Sequence, residues 1–218
     1  MSRLSRVLVV AVVALGVAAP SASAVADKKL GNTLGAMWKE ILETPRLQNP
    51  FTGGPPLCVD LGGIVAPFAA PGVSSIECTV KPGTKIFVAA WSAECSTLEG
   101  DPFLGSDEAT LRACARAVNA GITAVAVTLD GKPVGLTKVS SPLQRLNLPP
   151  DNIFGAVPGS CCTQPQGLPY LSVADGWVAL LHPLTPGAHT ITIDVAGEFP
   201  DTPLPIHNTT TIIVKPGL

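Results

Sequence analysis

The chain of 218 residues carries little charge and few aromatic side chains. Charged residues make up 14% of it, aromatic residues make up 5%, and the formal net charge is −2. No stretch is basic enough to provide the electrostatic footprint that nucleic-acid binding requires. A basic amphipathic helix of the kind that lies on a membrane surface is also missing. We therefore expect neither a nucleic-acid partner nor a membrane-surface role.

Motifs of nucleophilic catalysis and of metal binding are missing as well. The chain has no G-x-S-x-G element and no C-x-x-C pair, and no cysteine lies at ligand spacing from one of the three histidines. The acidic residues do not follow the spacing of a calcium-binding EF-hand loop. We therefore predict no metal site and no cofactor. Whether the protein is an enzyme stays open at this point, with a non-enzymatic role favoured.

The N-terminal segment predicts export. Two arginines and no acidic residue accompany an apolar run over residues 7–19, and the small-residue motif Ala22-Ser23-Ala24 follows. The apolar run is shorter than the roughly 20 residues that a membrane-spanning helix needs. We predict a signal peptide over residues 1–24 and a mature chain over residues 25–218. The mature protein is then secreted or extracellular, the cell envelope included, and has no membrane span.

All six cysteines lie in the predicted mature chain, and an even number in an exported protein indicates a disulfide framework. They are Cys58, Cys78, Cys95, Cys114, Cys161 and Cys162. A bond between Cys95 and Cys114 would close one local excursion and stabilise the fold by about 3 kcal/mol. A bond between the neighbours Cys161 and Cys162 requires a strained ring. We therefore favour separate partners for these two among Cys58 and Cys78, with direct bonding as the alternative.

Two segments predict short helices. In residues 32–43, apolar side chains recur at the spacing of one helix face, namely Leu34, Met37, Trp38, Ile41 and Leu42. Residues 107–119 show a similar pattern, which begins at a capping Ser106 or Asp107 and ends before Gly121. A stripe that contains Met and Trp can receive a partner, but it more often packs on the core of its own domain.

The remainder of the mature chain is rich in strand patterns. Roughly eight or nine short segments, separated by Gly and Pro turns, predict one mainly β domain, an antiparallel β-sandwich or jelly roll with two short helices. Residues 84–92 are apolar on both faces and predict a central strand. Asp130-Gly131 predicts a hairpin turn. In residues 168–198 we predict two strands folded onto each other through the turn at residues 184–187.

Several short motifs occur in an order that resembles a known family. They are Trp38, Asn49-Pro50, Cys58, Cys78 before Pro82-Gly83, Glu94-Cys95-Ser96 with Glu99, Leu111 to Cys114, Asp130-Gly131, Ser141-Pro142, residues 148–155 and residues 172–191. In this order the chain resembles a family of exported bacterial and archaeal proteins of unknown function, over nearly the whole mature chain. It departs from the family at residues 63–67, near which the family often has an aromatic pair. The resemblance implies an exported β-sandwich and no particular activity.

Five residues are candidates for ligand binding: Glu94, Glu99, Asp175, Trp177 and His189. The two glutamates belong to an acidic region, where paired carboxylates can serve glycoside hydrolysis or hold calcium. Trp177, just after Asp175, can present an aromatic ring to a sugar, although a tryptophan at this place is more often part of the core. His189 falls on the same side of its predicted strand as Ile191 and Ile193, because side chains two residues apart share a face. We therefore expect it to face inward with a hydrogen bond near the turn.

These observations favour an exported, disulfide-stabilised binding or structural module with an extracellular ligand. A carbohydrate and a component of the cell envelope are the ligand classes considered. The first alternative is a secreted hydrolase that uses loop carboxylates. The second is a secreted proteinase inhibitor, for which residues 151–169, with their two neighbouring cysteines, are the only candidate loop.

Overall fold

A computed structural model describes residues 22–156, 170–200 and 202–217, with the side chains of residues 22–25 left out. The helices are α1 (Ala22–Leu42) and α2 (Glu108–Val118), and two single 3-10 turns lie at Arg46–Gln48 and Pro50–Thr52. The strands are β1 (Leu57–Asp60), β2 (Ile64–Phe68), β3 (Ser75–Val80), β4 (Lys85–Ser96), β5 (Ile122–Leu129), β6 (Lys132–Pro133), β7 (Thr137–Ser140), β8 (Gln144–Leu146), β9 (Tyr170–Leu181), β10 (Gly187–Gly197) and β11 (Ile206–Val214). The prediction of a mainly β fold with two helices is confirmed.

The strands form two sheets. The first has the order β1-β2-β4-β9-β7, with β8 also paired to β9, and the second has the order β3-β11-β10-β5-β6. Both sheets are mixed rather than purely antiparallel as predicted, because β2 runs parallel to β4 and β3 runs parallel to β11. Of residues 84–92, all but the first fall in β4, which lies between β2 and β9, so the prediction of a central strand is confirmed.

The first sheet is covered on both faces, which explains why most residues of β4 and β9 are apolar on either face. Leu34 and Ile41 of α1 pack with Phe87 and Val178 on its outer face. On its inner face, apolar residues of β4 and β9 meet the second sheet, and Leu111 and other residues of α2 pack beside that sheet. The core therefore has an α1 layer, a central sheet, and a third layer made of the second sheet and α2.

The two helices differ in how well their bounds follow the sequence pattern. α2 is confirmed, and the side chain of Asp107 caps it by accepting a hydrogen bond of 2.8 Å from the Thr110 N–H. α1 begins at Ala22 rather than at residue 32, because the apolar stripe marks only the part of the helix that is buried. Within the described residues, no helix has the length and apolarity needed to cross a membrane.

The predicted hairpin in residues 168–198 is wrong. β9 and β10 both form, but β9 pairs with β4, β7 and β8 in the first sheet, whereas β10 pairs with β5 and β11 in the second. The Pro-Gly segment between them therefore carries the chain from one sheet to the other. The turn at Asp130-Gly131 is confirmed: φ is 49° at Asp130 and 75° at Gly131, and β5 and β6 pair across it.

Two disulfides connect the layers. Cys95 of β4 is bonded to Cys114 of α2, as predicted. Cys58 of β1 is bonded to Cys78 of β3, which joins the edges of the two sheets. The predicted pairing of Cys58 and Cys78 with Cys161 and Cys162 is therefore wrong, because facing edge strands bring the first two together. Cys161 and Cys162 lie outside the described residues.

Candidate functional site

A cleft opens where β2 separates from β4. The two strands pair only through Ile64 with Lys85 and Val65 with Ile86. At the far end of β4, the Ser96 N–H donates to the Phe103 carbonyl. Between these points, no strand of the described residues pairs with β4 on the side away from β9. A cleft of about 530 Å³ lies along this stretch.

The lining of the cleft is unusual for a chain so poor in aromatic residues. Seven of the ten aromatic residues of the whole chain line it. They are Trp38, Phe51, Phe68, Trp91, Phe103, Phe154 and Phe199. They come from α1, a 3-10 turn, two strands and three connecting segments. Long-range folding therefore brings most of the aromatic side chains of the protein to one place.

Six of these seven aromatic residues form two groups of contacting rings. In the first, the Trp38 and Phe68 rings meet edge to face at 5.4 Å between centroids, and Phe51 lies 5.5 Å from Phe68. In the second, the Trp91 and Phe199 rings meet edge to face at 4.8 Å. Edge-to-face contacts of this kind stabilise a fixed arrangement of rings. The lining of the cleft is therefore built before any ligand arrives.

Hydrogen bonds fix both tryptophans, Trp38 to β4 and Trp91 of β4 to the C-terminal end of α2. Trp38 Nε1 donates to Ser92 Oγ over 3.0 Å, and Trp91 Nε1 donates to Asn119 Oδ1 over 3.1 Å. The pairing of β4 with β9 shifts register between Ala89 and Trp91, which is a bulge that re-aims the side chains after it. Gly176 of β9 makes this possible, since a Cβ there would lie 2.3 Å from the Trp91 carbonyl oxygen.

Two of the predicted candidates, Glu94 and Glu99, come together at the cleft. Glu94 is 4% exposed and accepts a hydrogen bond from Ser172 Oγ, and Glu99 accepts one of 3.2 Å from Ser96 Oγ. Burial raises the pKa of Glu94 well above its ordinary value, and the neighbouring charge of Glu99 raises it further. Burial also raises the pKa of Glu99. Within the described residues, neither carboxyl has a lysine, arginine or histidine partner.

Asp175 and Trp177 lie elsewhere, and their contacts connect β9 to its neighbours. The Asp175 carboxylate is buried and accepts a hydrogen bond of 2.6 Å from Ser140 Oγ, while Asn119 Nδ2 donates to the Asp175 carbonyl over 2.7 Å. Lys138 Nζ lies 3.6 Å from Asp175 and 4.3 Å from the centre of the Trp177 ring. These interactions pair the Asp175 carboxylate within the protein and cover the Trp177 ring with a lysine side chain.

His189 lies at the start of β10 and connects two turns. Its Nδ1 is 2.7 Å from Asp130 Oδ2, and its Nε2 is 2.9 Å from the Thr185 carbonyl oxygen. The hydrogen bond to Asp130 and then the one to Thr185 raise the pKa of His189, because both acceptors favour a ring that carries two N–H groups. The side chain is 15% exposed and lies away from the cleft lining.

Asn208 of β11 is a lining residue that the sequence pattern did not reveal. Its Nδ2 donates to the Val73 carbonyl over 2.7 Å, but its Oδ1 is buried and has no hydrogen-bond partner among the described residues. A buried acceptor without a partner costs free energy unless a ligand or water satisfies it.

Across the residues that the structure describes, no group of three or more His, Cys, Asp or Glu side chains is arranged to hold a metal ion.

Comparison with known proteins gives no family. No family model matches the chain, and no curated protein matches it. Among solved structures, a cysteine protease inhibitor from Entamoeba histolytica is 12% identical with a TM-score of 0.23, over 66% of this chain and 87% of that one. Amebosin is 9% identical with a TM-score of 0.21, over 66% of this chain and 98% of that one. Likeness at this level carries no argument about function, and the resemblance to exported proteins stays a prediction.

Proposed function

We propose that the protein is an extracellular binding module whose cleft holds a small ligand with a large apolar surface. The two disulfides support the extracellular part of the proposal, because such bonds persist mainly in oxidising compartments. The concentration of seven of the ten aromatic residues around the cleft carries the binding part. A volume of about 530 Å³ falls within the range of small-molecule sites.

The geometry of the two glutamates supports binding over glycoside hydrolysis. A glycosidase places its two carboxyl groups on either side of the scissile bond, roughly 5 Å or more apart. Here Glu94 and Glu99 are close enough to share a hydrogen bond, so no sugar bond fits between them. The proteinase inhibitor depends on residues 151–169, of which residues 157–169 lie outside the described part of the chain.

A cleft-filling substitution tests the proposal. N-phenyl-1-naphthylamine is an apolar fluorescent probe, and we expect it to bind the mature protein at a ratio of one to one. Ala70 lines the cleft in the connection after β2, so Ala70→Phe should place a ring in the site and weaken probe binding at least tenfold. Ala188→Phe, on an exposed position of β10, is the matched control and should bind like the wild type.

Thermal unfolding of both variants shows whether they fold as the wild type does. The proposal is wrong if the wild type binds no probe at this ratio. It is also wrong if Ala70→Phe and Ala188→Phe, both folded, weaken binding to the same extent.

A further inference from the structure

We propose that the ligand of this cleft is an organic cation, an ammonium group carried on an apolar body. This inference rests on the proposed function of the cleft and adds the charge of its ligand. It is carried by two features that meet at one place: the buried carboxyl group of Glu94 beside the half-buried one of Glu99, neither with a cationic partner among the described residues, and aromatic rings on both faces of the strand that bears Glu94.

The carboxyl pair is the first feature. Buried carboxylates in proteins are normally paired with a cation, because desolvation of an unpaired charge is costly. The other buried carboxylate of the described residues, Asp175, follows this rule through Lys138. Glu94 and Glu99 do not, and within the part of the chain that the structure describes they are the only titratable side chains that line the cleft. A ligand that supplies one positive charge would complete the pattern.

The aromatic rings are the second feature. Trp38 is hydrogen-bonded to Ser92, which lies two residues before Glu94 and therefore on the same face of β4. Trp91 lines the cleft from the second group of rings. Faces of tryptophan and phenylalanine attract cations, and aromatic cages of this kind recognise quaternary ammonium groups. The buried Asn208 Oδ1 adds a further acceptor that has no donor among the described residues.

Proton linkage follows from the same arrangement. Burial and mutual proximity raise the pKa of Glu94, so the empty pair keeps a proton at a pH where ordinary glutamates are ionised. A bound cation favours the ionised form, so binding releases that proton, and affinity should rise with pH until the empty pair is itself ionised. Among the described residues, no other charge faces the pair: Lys39 of α1 is paired with Glu43, β9 contributes Ser172, and Asp101 and Asp151 of the adjacent connections are exposed.

Two probes of the same shape separate the contribution of charge to binding from the contribution of apolar contact. Phenyltrimethylammonium is a cation, and tert-butylbenzene is its neutral counterpart. Each is titrated into the complex of the protein with N-phenyl-1-naphthylamine at pH 6, 7 and 8, and displacement of the dye is followed by fluorescence. We expect the cation to bind at least tenfold more tightly than the neutral probe at pH 8. Its affinity should rise by up to tenfold per pH unit, while that of tert-butylbenzene does not rise.

Charge-removing variants identify the source of the preference. Glu94→Gln and Glu99→Gln should each reduce the preference for the cation to less than threefold. Glu77→Gln removes the same charge from an exposed position of β3 and should leave the preference unchanged. The inference is wrong if tert-butylbenzene binds as tightly as the cation, or if the preference persists in both cleft variants. If neither probe displaces the dye because no dye binds, the proposed function itself fails.

Discussion

Replacing Cys58 and Cys78 together by serine should lower the free energy of unfolding by about 3 kcal/mol, because the bridge restrains a loop of 20 residues in the unfolded chain. For a chain of this length, that loss corresponds to a fall in Tm of roughly 6–12 °C. The bridge also joins the edges of the two sheets, so its removal takes away the covalent link between β1 and β3. Thermal unfolding at constant pH measures the effect.

The second disulfide closes a loop of nearly the same length and therefore serves as a control. The bond between Cys95 and Cys114 spans 19 residues, so the double serine variant at these positions should lose a similar free energy. Non-reducing peptide mass spectrometry of the wild type should recover one peptide pair for each bridge. A peptide that links Cys58 or Cys78 to Cys161 or Cys162 would contradict this pairing and restore the one that the sequence favoured.

Local patterns predicted elements well, because they depend on neighbouring residues. The turn at Asp130-Gly131 needs two positive φ values, and Gly131 together with the tolerant Asp130 supplies them. α2 follows from an apolar face and a capping Asp107. Each feature is determined by residues that lie within about a dozen positions of one another, so the local sequence is enough to predict it.

Pairing between strands could not be read in the same way. β9 and β10 are adjacent in sequence, and a Pro-Gly turn between them is typical of a hairpin. However, β9 is buried along nearly its whole length, as expected of a strand covered on both faces, whereas β10 alternates and has one solvated face. This difference in burial assigns them to different sheets. The cysteine pairing has the same origin, because it depends on which edges face each other.

The candidate site was predicted in part. Glu94 and Glu99 were among the candidates and lie together at the cleft, while Asp175, Trp177 and His189 make contacts elsewhere. The aromatic residues of the cleft are spread from Trp38 to Phe199, so no window of sequence contains them. The sequence offered only its low aromatic content as a signal for this cleft. In a chain with few aromatic residues, a site that gathers most of them stands out once the fold is known.

Glu94→Gln should raise Tm at pH 7 to 8 and leave it nearly unchanged near pH 4.5. Burial raises the pKa of Glu94 in the folded protein above its ordinary value of 4.5. Between these two pKa values the folded state binds more protons than the unfolded state, so stability falls as pH rises through this window. Glutamine has nearly the same shape and still accepts a hydrogen bond from Ser172, but it carries no charge to bury.

The size of this effect follows from the difference in proton affinity. Each tenfold difference in the proton affinity of Glu94 between the folded and unfolded states changes the free energy of unfolding by about 1.4 kcal/mol. For a chain of this length, that change corresponds to roughly 3–6 °C in Tm. Thermal unfolding between pH 4.5 and 8 should therefore give curves of Tm against pH that diverge as pH rises, with the variant more stable. Glu77→Gln, at an exposed position, should follow the wild type throughout. Parallel curves for wild type and Glu94→Gln would contradict a raised pKa at this residue.

The stability measurement and the ligand proposal depend on one buried charge. If ionised Glu94 destabilises the empty protein at high pH, a cation bound beside it should offset that cost, because a ligand that binds only the folded state stabilises it. Saturating phenyltrimethylammonium should then raise the Tm of the wild type more at pH 8 than at pH 5. In Glu94→Gln the same ligand should produce a smaller rise that does not depend on pH. A rise of equal size in both proteins would mean that the cleft binds the apolar body of the ligand without using the carboxyl pair.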